Sequence, residues 1–166
     1  DKNRFWNAGE MCCNFQGSTV NDSAYLKTLI EALQNRYNID PKRIYMSGHS
    51  NGGFMVHRMA YDYPEPLAAI VALNGAAPIR WTNPRPQSPV NILHIHGTAD
   101  QVNSYEGSDI RGVPYQSAVA GARNWAYYAF GDARQDDGES LRDLDGEIEG
   151  AETKVTSWAK GRVELW

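Results

Sequence analysis

Apolar positions along this chain change their period several times, and each change marks an element. From Asn21 to Tyr37 the residues Tyr25, Leu26, Leu29, Ile30, Leu33 and Tyr37 recur at intervals of three and four, the spacing of one helix face. Asn21 or Asp22 can cap that helix. Asn38-Ile39-Asp40-Pro41-Lys42 is a turn by composition, and it delivers the chain to a short β-rich run at Arg43–Ser47. Phe54, Met55, Met59 and Ala60 return to helical spacing until Pro64, which has no N–H to continue a helix. Methionines and aromatics at that spacing are read as core rather than as a cofactor-binding stripe. Leu67–Leu73 is continuously apolar and closes on Asn74-Gly75, as a buried parallel strand requires. A proline-rich excursion from Pro78 to Pro89 leads to a third strand, Val90–His96, ending in Gly97-Thr98-Ala99-Asp100. Ser117–Phe130, with Val119, Ala122, Trp125, Ala126 and Ala129, predicts another helix, and Lys154–Trp158 and Arg162–Trp166 predict two late strands. This alternation predicts an α/β fold, a parallel sheet flanked by helices, in one domain.

Three stretches carry no period. Residues 1–20, with Gly9, Gly17 and Cys12-Cys13, read as an irregular, partly packed loop, and the segment after Asp100, with Gly107 and Gly112, reads as loop as well. Residues 131–153 form an acidic loop, in which nine Asp and Glu face only Arg134 and Arg142 before Lys154. Asp143-Leu144-Asp145-Gly146-Glu147 has the flavour of a calcium loop, but its glycine is misplaced for an EF-hand, so a solvated loop is expected and no metal.

Composition narrows the function classes. With 166 residues, a net charge of −4 and no basic cluster interleaved with aromatics, the chain is a poor match for nucleic acid or an anionic membrane. No apolar run approaches the ~20 residues of a membrane span. The first residues show neither an initiator methionine nor the apolar stretch of a signal peptide, so either a segment was removed or the sequence begins within a longer protein. Cys12 and Cys13 are adjacent and cannot staple distant segments to each other; they are read either as one thiol pairing with a cysteine outside the chain or as two free thiols.

The candidate chemistry lies where the first strand meets the second helix, at Gly48-His49-Ser50-Asn51-Gly52. Gly-x-Ser-x-Gly between a strand and a helix is the layout of a nucleophile elbow, which holds a serine exposed on a tight turn. Without that context it is only a glycine-flanked turn serine. Side chains at Gly48 or Gly52 are expected to collide with the neighbouring strand or helix. The helix behind Ser50 points its free N–H groups at a developing oxyanion, and the Asn51 N–H is the natural first donor. Such a serine needs an acid at a strand end to orient its base. Asp100 suits that position, its competing reading being a turn aspartate that caps its own backbone; Asp109 is the weaker substitute. The base is the difficulty. His49, His57, His94 and His96 all precede Asp100, and the 66 residues after it contain no histidine. His49 lies inside the elbow, His57 lies down the following helix, and His94 and His96 alternate with apolar residues. Only His96 falls at the right edge of the sheet.

Several stretches taken together resemble the polyhydroxybutyrate depolymerase-like esterases, which include feruloyl and acetylxylan esterases. They are Arg4-Phe5-Trp6-Asn7-Ala8-Gly9 with Cys12-Cys13, Asp40-Pro41-Lys42-Arg43, Gly48-His49-Ser50-Asn51-Gly52-Gly53-Phe54-Met55, and His96-Gly97-Thr98-Ala99-Asp100 with Tyr105-Glu106-Gly107. The resemblance implies a partial α/β-hydrolase fold with Ser50 as nucleophile, Asp100 as triad acid and Asn51 as oxyanion-hole donor. It implies hydrolysis of a small-molecule or polymer ester through an acyl-enzyme, without metal or cofactor, in an extracellular setting. Members of that family carry upstream strands with a second oxyanion donor, cysteines near the positions of Asp132 and Ala159, and a histidine just beyond the strand matching Arg162–Trp166. This chain shows none of them. The elbow strand is therefore expected to present an open edge, covered by the rest of a longer protein, a swapped chain or a dimer partner. The alternative is a non-catalytic α/β-hydrolase-like module that keeps the elbow as scaffold and binds a partner.

Overall fold

The computed structural model describes residues 4–9, 12–79 and 84–166; part of the proline-rich excursion lies outside them. Helix α1 runs Asp22–Arg36, where the Asn21 side chain accepts the Ala24 N–H at 3.0 Å and Asp22 and Arg36 match the helix dipole at its two ends. Strand β1, Tyr45–His49, starts two residues later than the sequence suggests. Asp40 explains the delay: its carboxylate takes the Lys42 N–H and the Arg43 guanidinium, and its carbonyl takes the Arg43 N–H, so the chain is still turning there.

Helix α2 spans Asn51–Asp62, and β2 spans Ala69–Leu73 after a turn closed from the Leu67 N–H to the Pro64 carbonyl. Strand β3, Asn91–Ile95, is followed by a feature not read from the sequence, the hairpin of β4 (Ser108–Ile110) and β5 (Val113–Tyr115). Its two-residue turn places Arg111 at φ 54° and Gly112 at φ 83°, the positive dihedrals a tight hairpin needs. Helix α3, Ala118–Phe130, is capped by Ser117 and ended by Gly131 at φ 77°. Strand β6 (Ser140–Arg142) lies inside the acidic stretch, ahead of β7 (Thr153–Trp158) and β8 (Val163–Leu165).

The main sheet has the order β1-β2-β3-β8-β7-β6. The first four strands are parallel, as the sequence predicts, and β7 and β6 run antiparallel. The exception follows from chain length: β7 reaches β8 through residues 159–162, with Ala159, Lys160 and Gly161 at φ 55°, 59° and 73°, and so short a link can join only antiparallel neighbours.

One face of the sheet, bearing Ile70, Ala72, Ile92, His94, Val163 and Leu165, is buried under α2 and α3. Trp125 of α3 is fully buried there and donates its indole N–H to the Val90 carbonyl at 3.0 Å. The alternate residues Tyr45, Ser47, Val71 and Leu93 keep part of their surface exposed. Among the described residues β1 is paired on one side only. The apolar stripe of α1 divides: Leu26 and Ile30 pack on the core, while Tyr25, Leu29, Leu33 and Tyr37 stay exposed.

Candidate active site

Parallel register brings the candidate residues to one edge. His49, Leu73 and Ile95 are aligned across β1, β2 and β3, so Ser50 and Asp100 follow the carboxyl ends of strands separated by β2 alone. Open α/β sheets bind their ligands at this edge.

Ser50 occupies the step from β1 into α2 with φ 53° and ψ −118°, and its N–H donates to the Leu73 carbonyl at 2.9 Å. A non-glycine residue at positive φ is strained and persists only where the surroundings impose it. Gly48 is part of that imposition, because a Cβ there would lie on the Gly52 carbonyl group. Gly52 itself corrects the sequence reading: a Cβ at Gly52 meets nothing within 4 Å. The close approach is made instead by Gly53 and Gly75. A Cβ on Gly53 would sit 2.7 Å from the Leu73 carbonyl oxygen, and one on Gly75 would sit 2.6 Å from the Phe54 nitrogen. The first turn of α2 is thus seated directly on the exit of β2.

Asn51 opens α2, so its backbone N–H is one of the four at a helix start without an intrahelical acceptor. Its side chain is committed elsewhere. Oδ1 accepts the Trp6 N–H at 2.6 Å, Nδ2 donates to the Trp6 carbonyl at 2.8 Å, and Nδ2 lies 3.6 Å from Cys12 Sγ. Cys12 and Cys13 are bonded to each other, which replaces both readings of these cysteines made from the sequence. The periodless N-terminal loop therefore buttresses the residue that follows Ser50, a role that no spacing rule signals.

Three hydrogen bonds hold the Asp100 carboxylate. Oδ1 accepts the N–H groups of Val102 at 2.8 Å and Asn103 at 3.0 Å, and Oδ2 accepts the Asn74 side-chain amide at 2.5 Å. Those two backbone N–H groups, then the Asn74 amide and nearby His96, hold its carboxyl below the usual range against the opposing effect of desolvation. Asp109 is spent otherwise: its Oδ1 accepts the Gly112 N–H inside the β4–β5 hairpin.

Three of the four histidines are accounted for by burial. His96 Nε2 lies 2.7 Å from the Asn103 carbonyl, which fixes the proton on that nitrogen, and its Nδ1 lies 3.2 Å from His94 Nε2. His96 is buried, and its Nε2 is 3.7 Å from Asp100 Oδ2. With both ring nitrogens engaged, it has none to offer Ser50. His94 is buried beneath β3 and His57 beneath α2, their ring centroids 5.5 Å apart, and burial lowers the pKa of His57 to about 4. His49 alternates with Gly48 on β1 and is exposed.

A family model described as phospholipase/carboxylesterase matches residues 14–135. The chain belongs to that family. The α/β-hydrolase architecture expected of this carboxylesterase family is the one observed, with two antiparallel strands added at one side. The chain is 34% identical over 85 residues to a bifunctional acetylxylan esterase/xylanase of Neocallimastix patriciarum, an alignment covering 51% of this chain and 12% of that protein. It is 27% identical over 135 residues to feruloyl esterase B of Piromyces equi, covering 73% of this chain and 23% of the relative. Over 54 residues it is 39% identical to poly(3-hydroxyalkanoate) depolymerase C of Paucimonas lemoignei, covering 32% of this chain and 12% of the relative. The chain therefore spans less than a quarter of the length of each of these curated relatives.

Proposed function

We propose that the chain carries the nucleophile and acid of a serine ester hydrolase. The observation that carries this reading is the paired strand-end geometry, a strained Ser50 at the head of α2 and a hydrogen-bonded Asp100 beyond β3, on strands about 10 Å apart with β2 between them. An interposed imidazole fills such a gap. In the proposed reaction Ser50 Oγ adds to the ester carbonyl carbon and passes its proton to that imidazole. The oxyanion receives the Asn51 N–H, and the alkoxide leaves with the same proton. Water then releases the acid from the acyl-enzyme. Asp100 orients the imidazole and balances its charge. The base is a histidine other than the four in this chain, because the three buried ones are packed away and His49 is the last residue of β1, directly before Ser50. Feruloyl, acetyl and hydroxyalkanoate esters form the substrate class suggested by the relatives' names.

The test is a p-nitrophenyl acetate assay on the chain and on Ser50→Ala, with and without free imidazole as a surrogate base, together with intact mass. The expected result is imidazole-supported turnover, or an acyl group on Ser50, that Ser50→Ala abolishes. Equal rates and equal masses for the two proteins in both conditions would sink the hydrolase reading and favour the non-catalytic binding module.

A further inference from the structure

Three consecutive residues at the end of β2 tie the two halves of the site together. The Leu73 carbonyl holds the Ser50 N–H, Asn74 holds Asp100, and Gly75 packs on the first turn of α2. Asn74 is the unusual member. It adopts φ 49°, its N–H donates to the Ile95 carbonyl at 2.9 Å, and its carbonyl accepts the Asn103 side-chain amide at 2.8 Å. Asn103 in turn gives its N–H to Asp100 Oδ1, so Asn74, Asn103 and Asp100 close a ring of hydrogen bonds.

We propose that Asn74 is a positioning residue, fixing the Asp100 carboxylate so that one lone pair of Oδ2 is left to orient the base; this inference rests on the hydrolase reading above. An ionised carboxylate offers about four lone-pair sites. Two backbone N–H groups take those of Oδ1, and the Asn74 amide takes one of Oδ2. His96 does not take the last, since its Nε2 is 3.7 Å away and donates to Asn103. Among the described residues one acceptor site remains, on the oxygen that Asn74 locates. Because Asn74 directly follows the residue that holds Ser50, it also sets the spacing between nucleophile and acid.

The decisive variant is Asn74→Gly, which removes the amide while tolerating the left-handed backbone. Two quantities are read on the chain: the Ser50-dependent, imidazole-supported rate, and the Asp100 carboxyl titration by carbon NMR, with Asp100→Asn identifying the signal. Losing the donor should cut the rate about tenfold and move the Asp100 midpoint upward, because a hydrogen bond to the charged form is gone. A merely structural asparagine would lower the melting temperature and leave that titration where it was. An unmoved midpoint overturns the inference, even if Ser50-dependent hydrolysis is intact. If no Ser50-dependent rate exists, the hydrolase reading falls, while the titration still decides whether Asn74 fixes the carboxylate.

Discussion

Two turns at the same sheet edge are held in place by opposite means. Beyond one backbone bond from its N–H to the Leu73 carbonyl, the Ser50 turn is held by shape: its side chain makes no capping bond with α2, and glycines let β1, α2 and the exit of β2 close on one another. The Asp100 turn is held by hydrogen bonds, two backbone N–H groups and an amide converging on one carboxylate. The contrast suits the proposed roles. A nucleophile must keep its hydroxyl free for its base and for substrate, so the fold must grip everything around it instead. An orienting acid needs one direction kept open and every other direction fixed.

The comparison breaks first at Gly48. Gly48→Ala drives a methyl group onto the Gly52 carbonyl, where neighbouring backbone rather than a flexible side chain must yield. We expect a loss of about 4 kcal/mol in urea unfolding, the range of severe overpacking. Gly52→Ala is the matched control. Its Cβ enters open space within a helix, where alanine is favoured over glycine by up to about 1 kcal/mol, so it should be neutral or stabilising. Equal losses in the two variants would show that the turn is not held by shape.

Acid should loosen the two turns in different pH ranges. His57 lies on α2 beneath the elbow, with its pKa lowered from 6.5 to about 4 by burial. Between those values the unfolded chain binds the proton and the folded chain does not. The His57 contribution is therefore complete above pH 6.5, declines as pH falls towards 4, and amounts to about 3 kcal/mol. His94, lowered by burial and then by His57 and His96, adds slope in the same direction. The Asp100 contribution behaves differently. Its carboxyl is lowered from 3.8, so its stability is present above that value and disappears only below it. Urea unfolding at pH 7.5 and pH 5 should show the histidine loss alone, and His57→Phe should reduce the slope. An unchanged slope in that variant would place the acid sensitivity elsewhere.

The same contrast explains what could be read from the sequence. Helices α1, α2 and α3 follow from periodicity, and α1 also from its cap at Asn21, both of which are local. Ser50 and Asp100 stand out because their own neighbours in the chain announce a turn at a strand end. The β4–β5 hairpin and β6 lie outside the sequence reading because their three-residue strands are interrupted by proline or charge and, unlike β8, do not extend into an apolar run; β6 is exposed along its whole length. Asn74, Asn103 and Trp6 were missed for another reason. Each acts across the fold, over 26, 29 and 45 residues respectively, through a backbone or amide group that any sequence contains. Gly52 was misjudged because the motif names the glycine but not its neighbour. Steric need fell on Gly53 and Gly75, where helix and strand exit meet.

The finest test exchanges the partners of the Asp100 turn. In Asp100→Asn the new amide keeps its oxygen on the Val102 and Asn103 N–H groups and turns its NH2 towards Asn74, whose amide must turn over to present Oδ1 where it now donates from Nδ2 at 2.5 Å. Exchanging three charge-assisted hydrogen bonds for neutral ones should cost about 2 kcal/mol. Adding Asn74→Asp gives that NH2 a charged acceptor and moves the charge across the same bond, so the double variant should regain part of the loss. Its non-additivity measures the bond directly. Activity should not return with stability, because the charge then sits beyond β2 rather than beyond β3, on the wrong oxygen to orient an imidazole. Full recovery of Ser50-dependent hydrolysis in the double variant would mean that the site needs a carboxylate nearby but not one held at Asp100. Stability losses that simply add would show that the Asn74–Asp100 pair does not hold this turn.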